Sequence, residues 1–148
     1  MLSVKTYYND EVGFKLQPYL YKMWAVKGEQ KFIEDNGYRG KLNVCGFVDI
    51  DNGEFTYSTI EKGNTLNFAS CLYDVYLLNK NLCDNGSGIN IILDNVPFHK
   101  APRIRNMCNA LNINLVLLPV YSPDYNPIER CWWSFRQKHM KNVEYESV

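Results

Sequence analysis

Residues 89–119 read INIILDNVPFHKAPRIRNMCNALNINLVLLP. INIILD (89–94) is a short apolar run of the kind that forms a buried strand, and INLVLLP (113–119), stopped by Pro119, is a second. Between them, from about Lys100 to Leu111, the chain reads as a basic helix. A strand, a helix and a strand in succession imply a parallel crossover, because two parallel strands need a long connection that packs back on the sheet. This unit makes the chain an α/β protein.

The flanks extend the sheet. LNVCGFVDI (42–50) is strongly apolar, DNG (51–53) is a hairpin turn signal, and EFTYSTI (54–60) alternates as its partner. SVKTYYN (3–9) is rich in Val, Thr and Tyr and reads as an opening strand that stops at Asp10. A further strand is read around Tyr21–Val26, before a turn at Lys27-Gly28. Thr65 is taken as the cap of a helix to about Asn79, with Leu66, Ala69, Leu72, Tyr73 and Tyr76 at helical spacing. After the breakers Gly86 and Gly88 comes the unit quoted first, and a loop with Pro123 leads to a last helix from Asn126 to about Lys141. Three strands with turns, then helix, strand, helix, strand, helix, is the order of the ribonuclease-H-like fold: a mixed five-stranded sheet flanked by helices.

The 148 residues suit one domain, read as 1–148, and a chain of this size holds a core without staples. Apolar residues at 46% and charged residues at 22% exclude a disordered or fibrous protein. No apolar run approaches the length of a membrane helix, and the opening MLSVKTYYNDEVGF lacks the pattern of a signal peptide, so no membrane partner and an intracellular location are expected. Five cysteines without a CxxC pair argue for buried thiols in a reducing compartment. The net charge of zero hides an asymmetry: residues 95–143 hold seven Lys or Arg against two acids, a net of +5, so the rest carries −5. A basic third suits a phosphate-rich partner, and equally the solvated faces of two helices.

Three acids fall at element ends: Asp10 after the opening strand, Asp94 after INIILD, and Glu129 in the first turn of the last helix. Sites in open α/β sheets form beyond the carboxyl ends of parallel strands, so an opening strand beside INIILD would make Asp10 and Asp94 neighbours. At 4 Å and an effective dielectric near 20, each ionised pair costs about 4 kcal/mol, so such a cluster needs protons or hard divalent cations. Each acid also has a plainer role. Asp10-Glu11 suits a solvated turn and Asp94-Asn95 an Asx turn. Asn126 suits an N-cap, with Pro127 at the first helical position and Glu129 three residues on, as in a capping box.

The joint pattern is more specific. YYNDEVGF (7–14), INIILDNVPFH (89–99) and YSPDYNPIERCW (121–132), with 34 residues between Asp94 and Glu129, resemble the catalytic region of mariner-type transposases and their insertion-sequence relatives, the DDE superfamily endonucleases. Trp24, Lys27 and Gly28 match a further W..KG pattern, whereas Val12 stands where a small or polar residue is common. The resemblance implies that Asp10, Asp94 and Glu129 hold two Mg²⁺ ions, with Mn²⁺ as a substitute. It implies a nuclease and strand-transfer core that frees a 3′-hydroxyl and joins it to target DNA. Its partners would be transposon ends and target DNA, and its location the nucleus if the host is eukaryotic.

Supporting positions follow. Asn95 and Asn126 are candidates for bonding the carboxylates or the loop backbone, and His99 for orienting the site, although a lone His also serves as a structural residue. Ile128, Trp132 and Phe135 share one face of the last helix and read as core. Trp133 and Arg136 fall on the face of Glu129 and, with Arg130, Lys100, Arg103 and Arg105, are candidates for DNA contact; packing and solvation are the alternatives. The family's helix-turn-helix region has no room ahead of the opening strand. Recognition by a separate subunit or within a homodimer, or a piece of a longer protein, is therefore expected. Two other readings stay open: an inactive or domesticated remnant that binds DNA, and another ribonuclease-H-like nuclease.

Overall fold

The computed structural model describes residues 4–15, 24–29, 32, 39–120 and 123–141. Five strands form one sheet in the order β3-β2-β1-β4-β5: β1 (Thr6–Lys15), β2 (Lys41–Asp49), β3 (Glu54–Ile60), β4 (Ile89–Leu93) and β5 (Ile113–Leu117). β2 pairs antiparallel with β1 and with β3, while β4 pairs parallel with β1 and with β5. The sheet is therefore mixed, and the opening strand does lie beside INIILD.

The pleat divides the core into two layers. On one face Tyr7 of β1, Cys45 and Phe47 of β2, and Ile89, Ile91 and Leu93 of β4 pack against Phe68, Leu72 and Val75 of α1 (Thr65–Leu78) and Ile104 of α3 (Pro102–Ala110). On the other, Val12, Phe14, Val44 and Val48 pack against Ile128 and Trp132 of α4 (Ile128–Phe135) and against Met140. Successive strand residues point to opposite faces, so one strand feeds both layers.

Several sequence expectations are corrected. Asp10 does not end its strand: β1 runs ten residues, because β2 goes on pairing with it to Lys15↔Lys41. The β4 side stops earlier, at Tyr8↔Ile92, so Asp10 lies just past the last parallel pair. Residues 24–26 are not in a strand, and 21–23 lie outside the described residues; Lys27-Gly28 does turn, with Gly28 at φ +95°. Asn64, not Thr65, caps α1, its side chain accepting from the Asn67 N–H at 2.8 Å. The buried stripe of α1 is Phe68, Ala69, Cys71, Leu72 and Val75, so Ala69 and Leu72 are buried as expected, while Leu66 and Tyr73 face outward. A short helix, α2 (Lys80–Asp84), follows it.

The basic helix is found as α3, opened by Pro102, and a separate 3-10 turn over Pro97–Lys100 precedes it. β5 is an edge strand: Ile113 is buried, but Val116, on the face whose helix α4 lies over β1 and β2, and Leu117, on the opposite face at the end of the strand, are both exposed. The last helix passes at Arg136 into a π turn over Arg136–Met140. Phe135, expected in the core, is 44% exposed, though its ring lies 5.1 Å from that of Phe14. All five cysteines are free thiols, four of them buried. Among the described residues no helix is long and apolar enough to cross a membrane.

Candidate active site

The site begins with the attachment of α4 to β1. The Asn126 Nδ2 donates to the backbone carbonyl of Asn9 at 2.8 Å, and its Oδ1 accepts from the Ile128 N–H at 3.3 Å. Asn126 therefore ties the start of α4 to the residue before Asp10 and also satisfies one of the helix's unpaired N–H groups. One turn on, the Trp132 indole Nε1–H donates to Asp10 Oδ2 at 3.2 Å. Glu129 lies between these two attachments, in the first turn, with an exposed side chain. Gly46, paired with Asp10 across β1–β2, makes room for the indole: a Cβ there would stand 2.4 Å from Trp132 Cη2. The sequence presents Trp132 as core, and the structure buries it, but its indole also donates to Asp10, which no local pattern signals.

Asp94 follows β4. The parallel register ends at Tyr8↔Ile92, so Asp10 and Asp94 each lie two positions beyond the last pair, at the same level of the sheet. The carboxyl of Asp10 is pushed up to about 7. Burial is the largest cause, followed by the negative charges of Glu129 and Glu11, with a smaller push from Asp94; a hydrogen bond from the Glu11 backbone opposes them. The three predicted acids are thus near enough for two of them to raise the third. They do not form a ready-made cage: among the described residues no three His, Cys, Asp or Glu side chains converge on one point suited to a metal ion.

On the other side of the sheet, His99 is fully buried in the 3-10 turn after β4. Its ring lies 4.2 Å from that of Phe68 and 4.4 Å from that of Phe98. Nδ1 stands 3.2 Å from the Asp94 carbonyl oxygen and 2.9 Å from Asp94 Oδ1; Nε2 stands 3.1 Å from Glu11 Oε1. Every one of these partners is an acceptor, so both ring nitrogens donate and the ring is an imidazolium. Burial lowers its pKa, but the bonds to Asp94 and Glu11 outweigh that and lift it to about 9. Cys45 Sγ lies 3.8 Å from the same Glu11 oxygen. Glu11 was missed as a site residue in the sequence. Its one signal is that it follows Asp10 on a strand and so must face the opposite layer.

The remaining predicted residues divide. Asn95 is half-buried, its Oδ1 buried without a hydrogen bond, and Asp94 Oδ1 likewise has none of good alignment despite the nearby imidazolium. Arg103, Arg105, Arg130 and Trp133 are exposed, Trp133 at 63%, and Lys100 is half-buried. Arg136 is also half-buried, its guanidinium 5.7 Å from the centre of the Phe14 ring, so it packs on the sheet as well as carrying charge. Trp24 is 99% exposed and joins none of these groups.

Comparisons with known proteins bear on the family and the fold. Residues 5–148 match the family described as DDE superfamily endonuclease. The "Insertion element IS630 uncharacterized 39 kDa protein" of Shigella sonnei is 24% identical over 143 residues, covering 96% of this chain and 40% of that protein. Among solved structures, a pre-cleavage Mos1 transpososome matches 97% of this chain with a TM-score of 0.76 at 18% identity, and 45% of that chain is covered. The Mos1 transposase paired-end complex with left transposon end matches at 0.71 and 20% identity, and the mariner Mos1 paired-end complex with Mg at 0.72 and 20%; each covers 97% of this chain and 44% of that chain. The fold is thereby the expected ribonuclease-H-like one. The chain spans less than half the length of these relatives.

Proposed function

This chain belongs to the DDE superfamily endonuclease family, and on that premise we propose that residues 1–148 form the metal-dependent catalytic core of a transposase. Its substrates are transposon-end and target DNA. It cuts a phosphodiester to free a 3′-hydroxyl and joins that hydroxyl to the target. The observation that carries this reading is Asp10: a half-buried carboxyl that accepts from the Trp132 indole and is pushed up to about 7 by desolvation and by the charges of Glu129, Glu11 and Asp94. A protein keeps such a cluster at a cost in stability unless a cation offsets it.

The residues fit a hard divalent cation. Asp10, Asp94 and Glu129 offer only oxygen donors, and the neighbouring Asn95 Oδ1 is a buried acceptor without a hydrogen bond. These three acids would hold two Mg²⁺ ions, for which Mn²⁺ would substitute. Bound there, such ions supply positive charge at the phosphodiester and lower the pKa of an attacking water or hydroxyl.

The chain itself supplies orientation. Trp132 and Asn126 hold α4 to β1, which keeps Glu129 beside Asp10. His99 fixes the backbone and side chain of Asp94 where β4 ends. Arg130 and Trp133, exposed on the helix that carries Glu129, suit a phosphate contact and base stacking, and Lys100, Arg103 and Arg105 extend the basic surface along the chain. A DNA substrate puts the protein inside the cell, in the nucleus of a eukaryotic host.

The test is nicking of supercoiled plasmid in Mg²⁺ or Mn²⁺. The expected outcome is divalent-dependent nicking by the wild-type chain and none by Asp94→Ala. DNA binding without nicking in either metal would point to a remnant that only binds DNA. Preferential cleavage of an RNA–DNA hybrid or a four-way junction would point to another ribonuclease-H-like nuclease.

A further inference from the structure

We propose that Glu11 is a positioning residue that fixes, through His99, the carboxylate of Asp94 in the orientation a divalent cation requires. This rests on the metal-dependent reading of the same site. Glu11 is next to Asp10 in sequence, but its side chain leaves the opposite side of the strand. Its Oε1 lies 3.1 Å from His99 Nε2, and the other ring nitrogen is 2.9 Å from Asp94 Oδ1 and 3.2 Å from the Asp94 carbonyl oxygen. The ring cannot move aside, because Phe68 of α1 and Phe98 flank it. Glu11 in turn is anchored in β1 by pairing with Cys45, whose sulfur also meets its Oε1. The result is a rigid line from the middle of β1, through a buried ring, to the carboxyl end of β4.

A carboxylate, an imidazole and a ligating group in series is an arrangement in which the outer partner sets the geometry of the inner one. Here the ligating group is a carboxylate. Asp94 follows the last residue of β4 and lacks the ladder bonds that hold a residue within a strand. Both its backbone and its side chain are within bonding reach of the same ring nitrogen, so the ring sets the torsions that aim Oδ2 away from the core.

Two near-isosteric variants separate position from charge. Glu11→Asp keeps the charge but draws the oxygen back by one methylene, out of reach of His99. Glu11→Gln keeps the reach and an acceptor oxygen but removes the charge. Mn²⁺ affinity, measured by electron paramagnetic resonance on the chain without DNA and well below each variant's Tm, is the readout. Glu11→Asp is expected to weaken Mn²⁺ binding about tenfold or more, with Glu11→Gln within about threefold of wild type. His99→Gln is an independent arm and should weaken binding as much as Glu11→Asp. Unchanged affinity in Glu11→Asp or in His99→Gln would overturn the proposal, and so would equal weakening in Glu11→Gln and Glu11→Asp, which would indicate charge alone. A wild-type chain that binds no Mn²⁺ would overturn the metal reading and this inference with it. Binding that is indifferent to Glu11 removes only the role assigned here.

Discussion

Gly46→Ala adds one methyl group at the point where α4 rests on the sheet. The new Cβ would stand 2.4 Å from Trp132 Cη2 and 2.5 Å from Cζ2, with Phe55 Cζ at 3.2 Å. Carbon atoms in contact sit about 3.5–4.0 Å apart, so the indole must move by about 1 Å. It has little freedom to do so, because the Phe55 ring centre lies 5.4 Å away on one side and that of Phe14 6.0 Å away on another. Overpacking of this kind costs about 1–3 kcal/mol. In a chain of this length about 2 kcal/mol lowers Tm by roughly 4–8 °C.

The consequence for function is larger. The same movement draws Nε1 from Asp10 Oδ2, now at 3.2 Å, and carries Glu129, three residues earlier on the helix. A misplacement of about 1 Å in a catalytic group can cost on the order of 100-fold in rate. Thermal unfolding followed by circular dichroism and plasmid nicking at saturating Mg²⁺ would measure the two effects. Gly63→Ala is the control: its Cβ would meet only Phe98, at 3.4 Å and 3.5 Å, an ordinary contact. If Gly46→Ala left both Tm and nicking at the level of Gly63→Ala, the account of how α4 is seated would be wrong.

Three further outcomes follow from the same geometry. Folded Asp10 keeps its proton to about 7, whereas the unfolded chain releases it near 3.8. Its contribution to the stability of the metal-free protein is therefore complete below pH 3.8 and is lost as pH rises towards 7. Asp10→Asn removes this loss, so in EDTA it should unfold at higher urea than wild type at pH 8. The gain should be several kcal/mol, at about 1.4 kcal/mol for each pH step between the two proton-release points, and the gap should close near pH 4. Asn126→Ala breaks the bonds to the Asn9 carbonyl and from the Ile128 N–H together, and should lower stability by about 1–2 kcal/mol in urea unfolding. DNA affinity should fall linearly on a log–log plot against salt, and Arg103→Ala combined with Arg105→Ala should reduce that slope by about 2 if both side chains contact phosphate.

The sheet was legible in the sequence because its strands announce themselves by apolar runs and by the DNG turn. The parallel unit was legible because a basic amphipathic segment separates INIILD from INLVLLP. What stayed hidden depends on contacts between distant residues. Asp10 lies within β1 rather than at its end, since the length of a strand is set by its partner, and β2 runs further than β4. The exposure of Val116 and Leu117 follows from β5 being at the edge, which a local apolar run does not reveal. The stripe on α1 was misjudged because aromatic residues, Tyr73 among them, supply helical periodicity from its outer side as well. The contacts of Glu11 with His99 and of Trp132 with Asp10 span 88 and 122 residues, and no local pattern encodes them.

The alternation of β1 has a bearing on how this gene tolerates length changes. Asp10 and Glu11 serve opposite layers only because a fixed number of residues separates them from the Thr6–Tyr8 segment that docks on β4. Loss or gain of a single codon between Tyr8 and Asp10 would interchange the two carboxylates, sending the longer one beneath the indole and the shorter one towards the imidazole. Both would still be acids, and the composition would barely change, yet neither would reach its partner. Frame-preserving indels should therefore be purged from this short stretch far more strictly than from the hairpin at residues 51–53, where an added residue only lengthens an exposed turn.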